Sequence, residues 1–312
     1  MNYKFILLRI ILIIFFFSIY EKNVEASRQV FIVMKVNNNI ITNIHIEEEY
    51  RYLVALNNEL LSLKKADGLA VAKNSILREK IKEEELLKFF KLDQINEEYL
   101  SNAISELYKS LGIKTEIEFE NYLSKYDLSY ENVRKKITIE MLWNQLIYEM
   151  YQEQVVVDVE GLKENINANE IQKNYLLSEI FFTLENEEKI NEKYSTIKNS
   201  ISEIGFKNTA TKFSLSDSAK LGGKIGWINE NQVSKILLKE IQKLEAGDIT
   251  KPIPMSGGYL ILTVVEKKDK KISLNVDEEL KKLIVDEKNR QLNNFSLIYF
   301  NKTKFNTKIN EN

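Results

Sequence analysis

Glycine and proline are distributed so unevenly in this chain that they divide it before any other feature is considered. Seven of the ten glycines (Gly205, Gly222, Gly223, Gly226, Gly247, Gly257 and Gly258) and both prolines (Pro252 and Pro254) fall between 205 and 258. Residues 44–170 contain only Gly68, Gly112 and Gly161. A stretch with so few breakers can run as long helices, whereas a stretch punctuated this densely has the turns of a small sheet. The expectation is an α+β chain: a helical region, a boundary near 165–175, then a small antiparallel sheet surrounded by helices. A length of 312 residues suits about two domains.

Periodicity fills in the helical region. A short strand, Val30 to Val36, is followed by a turn at Asn37-Asn38-Asn39 and by Ile40-Ile41. Thr42 or Asn43 is expected to cap a helix running to about Lys65, with Ile46, Tyr50, Leu53, Leu56 and Leu60 at helical spacing. Further helices are expected over Ala70 to Phe90, over a segment with Tyr99, Ala103, Leu107 and Leu111 on one face and Gly112 as its stop, and over Tyr130 to Tyr151. Thr115-Glu116-Ile117-Glu118 has the pattern of a capping box. The stripe Ile139, Leu142, Trp143, Leu146, Ile147 and Met150 reads as helix core.

The second region reads as β-α-α-β-α-β-β. Tyr175 to Leu184 is a strand, Glu187 to Ile204 an amphipathic helix and Phe206 to Phe213 a short one. A loop with a double glycine runs from Ser214 to Trp227. Ser234 to Leu244 is helical, Ile249 to Ile253 and Gly258 to Glu266 are extended, Asp277 to Tyr299 is a long helix and Lys304 to Ile309 a last strand. Leu280, Ile284, Leu292, Phe295 and Tyr299 line one side of that long helix. It is therefore expected to pack back on the first region.

Other features bound the chemistry. There is no cysteine and a single histidine, His45. Disulfides, thiolate nucleophiles, Cys-ligated zinc and iron–sulfur sites are excluded, as is any mechanism needing two histidines. His45, in the first turn of a helix, reads as a solvated or capping residue. With 44 basic and 46 acidic residues and no basic stripe, nucleic acid is not an expected partner. No metal or cofactor is expected. The first 26 residues read as a signal peptide: Lys4 and Arg9, an apolar run Ile10 to Ile19, and Val24-Glu25-Ala26 before Ser27. Ten apolar residues are short for a bilayer span of about 20. Cleavage before Ser27 is expected; retention of Phe5 to Ile19 as an anchor is the alternative, and only then would a membrane be a partner.

Three motifs in order, FSLSDSAKLGGKIGW, LEAGDITKPI and GGYLILTVVEK, resemble the parvulin (PpiC-type) family of peptidyl-prolyl isomerases over about 175–268. The signal peptide, the strand followed by MKVNNNIITNIHIEEE, the helical region and the returning C-terminal helix resemble the SurA-type periplasmic chaperones. In that family, helices before and after a parvulin domain join into one chaperone module. The resemblance implies a signal peptide at 1–26, a helical chaperone domain at 27–170, a parvulin-like domain at 171–270, and a C-terminal helix and strand at 271–312 that complete the helical module. Longer members carry two parvulin domains; the motifs here imply one.

The resemblance also places a site. The two family histidine positions fall on Glu179 and Leu260, and the Cys or Asp position falls on Ser216. The proline pocket falls on Ile225, Val233 and Leu237, which keep it apolar but without an aromatic floor. Rotating a prolyl amide crosses a resonance barrier of about 18–20 kcal/mol, which needs an apolar ring pocket and polar groups that favour the twisted amide. A Glu–Leu–Ser set does not reproduce the family's hydrogen-bonded cluster, and Glu179 reads as a solvated residue on the open face of the sheet before it reads as a catalytic one. The resemblance then implies an exported chaperone that binds unfolded outer-membrane or secreted polypeptides, with weak or lost isomerase activity. The alternatives are an active periplasmic prolyl isomerase and, with the anchor retained, a membrane-tethered foldase.

Overall fold

A computed structural model describes residues 29–91, 95–164, 166, 171–184, 189–255, 257–271 and 275–311. The signal segment and Ser27 lie outside the described residues. Residues from Ile32 onward group as one unit. It opens with a hairpin, β1 (Ile32–Val36) and β2 (Asn39–Thr42), turned by Asn37 and Asn38. Asn37 takes φ 50°, a left-handed conformation that asparagine tolerates. The last strand, β7 (Ile309–Glu311), pairs with the other edge of β1, so both ends of this unit meet in one antiparallel sheet. Met34, Val36 and Ile41 point inward from it and are fully buried.

Thr42 caps α1 (Asn43–Leu56), and His45 completes the cap. The Thr42 hydroxyl accepts from the His45 N–H at 3.4 Å, and His45 Nδ1 accepts from the Thr42 N–H at 3.2 Å. The lone histidine is thus the third-position residue of a capping box. The helix does not reach Lys65. Asn57 leaves helical geometry (φ −143°, ψ 90°), and its side chain accepts from Glu59 N–H to open a 3₁₀ turn, Asn58–Ser62. Then α2 (Lys65–Leu86) begins before Ala70 and stops short of Phe90.

In α3 (Glu97–Ser110) the buried face is Leu100 and Ile104, one position along from the expected one, and Tyr99 is exposed. Gly112 follows at φ +80° as the stop. The Thr115 hydroxyl caps α4 (Glu116–Ser124), but the Glu118 carboxylate accepts from Lys114 N–H, so only half of the box forms. The long α5 (Tyr130–Tyr151) buries Ile139, Leu142, Trp143, Leu146 and Ile147, whereas Met150 is exposed. A short α6 (Val159–Glu164) ends the stretch.

A four-stranded antiparallel sheet follows, ordered β4-β3-β6-β5. Its centre is β3 (Ile171–Phe182), paired with β4 (Lys224–Asn229) on one side and β6 (Gly258–Lys271) on the other; β5 (Ile253–Met255) is an edge. Side chains alternate across β3. Ile180 and Phe182 pack with Ile261 against Ile197 and Ala210 of α7 (Ile190–Phe213), which breaks at Gly205 (φ 80°, ψ 163°) into the two helices the glycine implied. Leu177 and Phe181 face the opposite way, with Leu260, Leu262 and Ile241 of α8 (Lys235–Ile241).

The C-terminal α9 runs from Val276 to Asn306, beyond Tyr299, so the last strand begins at Ile309 and not at Lys304. Its aromatic residues enter the first core. Trp143 lies 5.6 Å from Tyr299 and 6.2 Å from Phe300 between ring centroids, its indole N–H donates to Ser296 Oγ at 2.8 Å, and Phe295 stacks on Tyr151 at 4.7 Å. The architecture is α+β, with small antiparallel sheets among helices.

Candidate ligand-binding site

The face of β3 that carries Leu177, Glu179 and Phe181 opens onto a cavity of about 450 Å³. Glu179, Ser216, Leu260, Ile225, Val233 and Leu237, which sequence comparison placed on three separate motifs, all line this one cavity. Leu260 is buried beneath Val233 and Leu237, while Ile225 is exposed at the rim. Phe181 and Met255 also line the cavity. The apolar pocket therefore has an aromatic wall, contrary to the expectation from Leu237. The signal was available in the two-residue period of β3, which puts Phe181 on the face of Glu179.

The double glycine brings the site loop onto β3. Gly222 and Gly223 take φ +69° and +78°, and the Glu179 N–H donates to the Gly223 carbonyl at 2.8 Å. A Cβ on Gly223 would lie 2.2 Å from the Glu179 carbonyl oxygen, so this approach needs glycine. The loop then threads three serines past Glu179. Ser218 Oγ donates to Glu179 Oε1 at 2.9 Å; Ser216 and Ser218 hydroxyls are 2.7 Å apart, and Ser214 and Ser216 hydroxyls 2.9 Å. Glu179 is not the solvated strand residue expected from sequence. Burial pushes its carboxyl above the ordinary carboxylate value, against the hydrogen bonds from Ser218 and Ser216, and the nearby charge of Asp217 adds to the rise.

The opposite wall comes from the helical region. Arg78 and Lys82 of α2, Glu140 of α5 and Leu297 of α9 line the same cavity. Arg78 Nη1 donates to the Ser214 carbonyl at 2.8 Å; Lys82 Nζ lies 2.5 Å from Glu140 and 3.4 Å from Asp217, and Lys220 Nζ lies 2.8 Å from Glu140. Each of these contacts grips the segment Ser214–Lys220 or braces a residue that does. Despite the cost of burial, Lys220 and Lys82 hold the Glu140 carboxyl well below the usual range, and Glu140 in turn raises Lys220. Nothing in the sequence pattern marks Arg78, Lys82 or Glu140 as site residues, because their role depends on how two regions meet. Among the described residues no group of acidic or histidine side chains could hold a metal ion.

This geometry coincides with a family match. Residues 175–266 match the model of the rotamase family, described as the PPIC-type PPIASE domain. The chain carries a PPIC-type domain. Curated relatives named Chaperone SurA are similar over a longer stretch: that of Pseudomonas fluorescens Pf0-1 is 26% identical over 207 residues, 62% of this chain and 47% of the relative. That of Pseudomonas aeruginosa is 24% identical over 189 residues, 56% of this chain and 44% of the relative. The matches thus span about half the length of these relatives. Among solved structures, a chain from the study of two SurA-like chaperones of Campylobacter jejuni is similar at 17% identity, covering 90% of this chain and 98% of its own, with a TM-score of 0.33. Bacillus anthracis PrsA is similar at 19% identity over 76% of this chain, with a TM-score of 0.30.

Proposed function

We propose that this protein is an exported chaperone that binds unfolded outer-membrane or secreted polypeptides, and that its PPIC-type domain captures proline-containing segments while isomerising them slowly. In this reading residues 27–170 and 271–312 form the chaperone module, 171–270 is the inserted domain, and 1–26 is a signal peptide removed in the periplasm. The observation that carries the reading is the mixed state of the cavity. Ile225, Val233 and Leu237, where the resemblance puts the ring pocket, line it together with Phe181, and Glu179 and Leu260, where the resemblance puts the two histidines, line it too. Apolar capture needs only surface removed from water, at ~25 cal/mol per Å². Catalysis needs placed polar groups, and losing one such donor can cost ~2.7–4 kcal/mol of transition-state stabilisation.

The experiment measures two activities in one preparation: suppression of aggregation of a chemically unfolded client, and a protease-coupled prolyl-isomerase assay. The expected result is stoichiometric suppression with turnover at least about 100-fold below that of a parvulin with both histidines, by analogy with loss of a single oxyanion donor. Turnover equal to such a parvulin would overturn the weak-isomerase part of this reading. Failure to suppress aggregation would overturn the chaperone part.

A further inference from the structure

The serine chain in the cavity has a direction. Ser214 Oγ accepts from the Phe181 N–H at 3.0 Å and the Ser216 N–H at 3.3 Å, which occupies both its lone pairs. Its own proton is then free only to be donated, and Ser216 Oγ lies 2.9 Å away. Ser216 passes the same polarity to Ser218 at 2.7 Å, and Ser218 donates to Glu179 Oε1 at 2.9 Å. Four groups are thus aligned head to tail from a buried backbone amide to one oxygen of a carboxyl group. That oxygen is an acceptor whatever the charge of Glu179. Ser216 also bonds the Glu179 side chain, and the carboxyl group as a whole faces the cavity that a ligand would enter.

We propose that Glu179 meets its ligand as a protonated carboxyl group, oriented by the Ser214–Ser216–Ser218 chain, and that the group it donates to is the backbone carbonyl preceding a proline. The inference rests on the reading of the cavity as a proline-segment pocket. The amide before a proline has a carbonyl acceptor and no N–H. An ionised Glu179 would offer it a second acceptor and repel it; a neutral Glu179 offers a donor. The surroundings favour the neutral form. On the loop side stand Ser216, Ser218 and the acidic Asp217. From α2 come Arg78, Glu79 and Lys82, from α5 Glu140, and from α9 Arg290, all lining the cavity. The cations nearest the loop are committed elsewhere: Lys82 and Lys220 pair with Glu140, and Arg78 bonds the Ser214 carbonyl. Among the described residues no lysine or arginine pairs with Glu179.

A donor on the carbonyl also explains slow turnover. Hydrogen bonding at that oxygen favours the planar, charge-separated amide, whereas rotation requires loss of that resonance. Glu179 therefore strengthens binding of the ground state, which does not speed rotation.

The test is fluorescence anisotropy of a fluorescein-labelled Ala-Leu-Pro-Phe amide against the whole protein, from about pH 4 to about pH 9. Wild-type affinity is expected to fall about tenfold per pH unit once Glu179 ionises. Glu179→Gln keeps a donor at every pH and should bind with a flat profile. Ser218→Ala removes a hydrogen bond that favours the charged form, so its midpoint should move to higher pH. Identical profiles for wild type and Glu179→Gln, or a Ser218→Ala midpoint that stays or moves down, would overturn the proposal. So would absence of peptide binding by folded wild type at every pH. In that last case persistent suppression of client aggregation would leave the chaperone reading standing and remove the pocket's part in it.

Discussion

The helical region and the sheet region bury their side chains in different ways, and the difference decides where a ligand can enter. The helices share one continuous core, from Met34 of the hairpin through Trp143 to Tyr299 and Phe300 of α9. The sheet divides its apolar residues between two thin clusters on its two faces. On the α7 face β3 contributes Ile180 and Phe182 to the core; on the other, Glu179 stands between Leu177 and Phe181. A single thick core leaves little room to deform, whereas a sheet face covered only in part leaves a cavity. The helical region supplies rigidity and the sheet region the opening, with an ionic cluster between them.

The largest effect should come from the core that joins distant parts of the chain. Trp143 is fully buried, and it contacts α9 through Ser296, Tyr299 and Phe300. Trp143→Ala is expected to cost about 3–5 kcal/mol in a denaturant titration. If the comparison holds, the whole protein loses stability, because α9 also carries the strand that pairs with β1. A loss below about 1 kcal/mol would mean that the helical core is not the continuous unit described here.

Glu140 sharpens the comparison at the junction. Replacing it by Gln removes the ion pair of Lys220 and leaves Lys82 only the exposed Asp217, at a cost of about 3 kcal/mol near neutral pH. The sign of the pH dependence follows from the direction of the shift. The folded-state pKa of Glu140 lies below its ordinary 4.5, so its contribution is complete above about pH 4.5 and drains away as pH falls through the lower folded value. The gap between wild type and variant should therefore close on acidification. A gap that widened there would show that Glu140 is not held by its two lysines.

Much of this was legible in the residues, for reasons that differ by region. Gly205 announced the break in α7 because the position needs a positive φ. The α5 stripe was readable because helical spacing and burial agree from Ile139 to Ile147. Where burial is set by a neighbour, periodicity misled: Tyr99 stands on an apolar stripe yet is exposed, and Leu100 is buried in its place. The end of α1 was missed because Asn57 acts through a side-chain bond to Glu59 N–H, which no spacing rule records. The motifs single out six positions that line one cavity, but the environment of Glu179 is not written in them. Its serine partners depend on a loop conformation, and the cavity's far wall depends on α2, about a hundred residues earlier in the chain.

Gly223 offers the smallest effect on stability and the most selective test of the division between the regions. Its φ of +78° is one that a side-chain-bearing residue adopts at a cost of about 1–2 kcal/mol, and a Cβ there would meet the Glu179 carbonyl oxygen at 2.2 Å. That oxygen belongs to the central strand and cannot retreat without breaking the β3–β6 ladder. The loop must yield instead, and it carries Ser216 and Ser218 with it. Gly223→Ala should therefore lower the unfolding midpoint only modestly while lowering affinity for a proline-containing peptide by up to about tenfold, since one neutral hydrogen bond of about 1.4 kcal/mol, near the top of the usual range, accounts for that factor. Trp143→Ala, studied well below its own unfolding transition, should show the reverse: a large loss of stability with peptide affinity kept. If Gly223→Ala instead binds peptide as wild type does, the approach of the loop to β3 is structural, and the polarity of the serine chain does not govern the site.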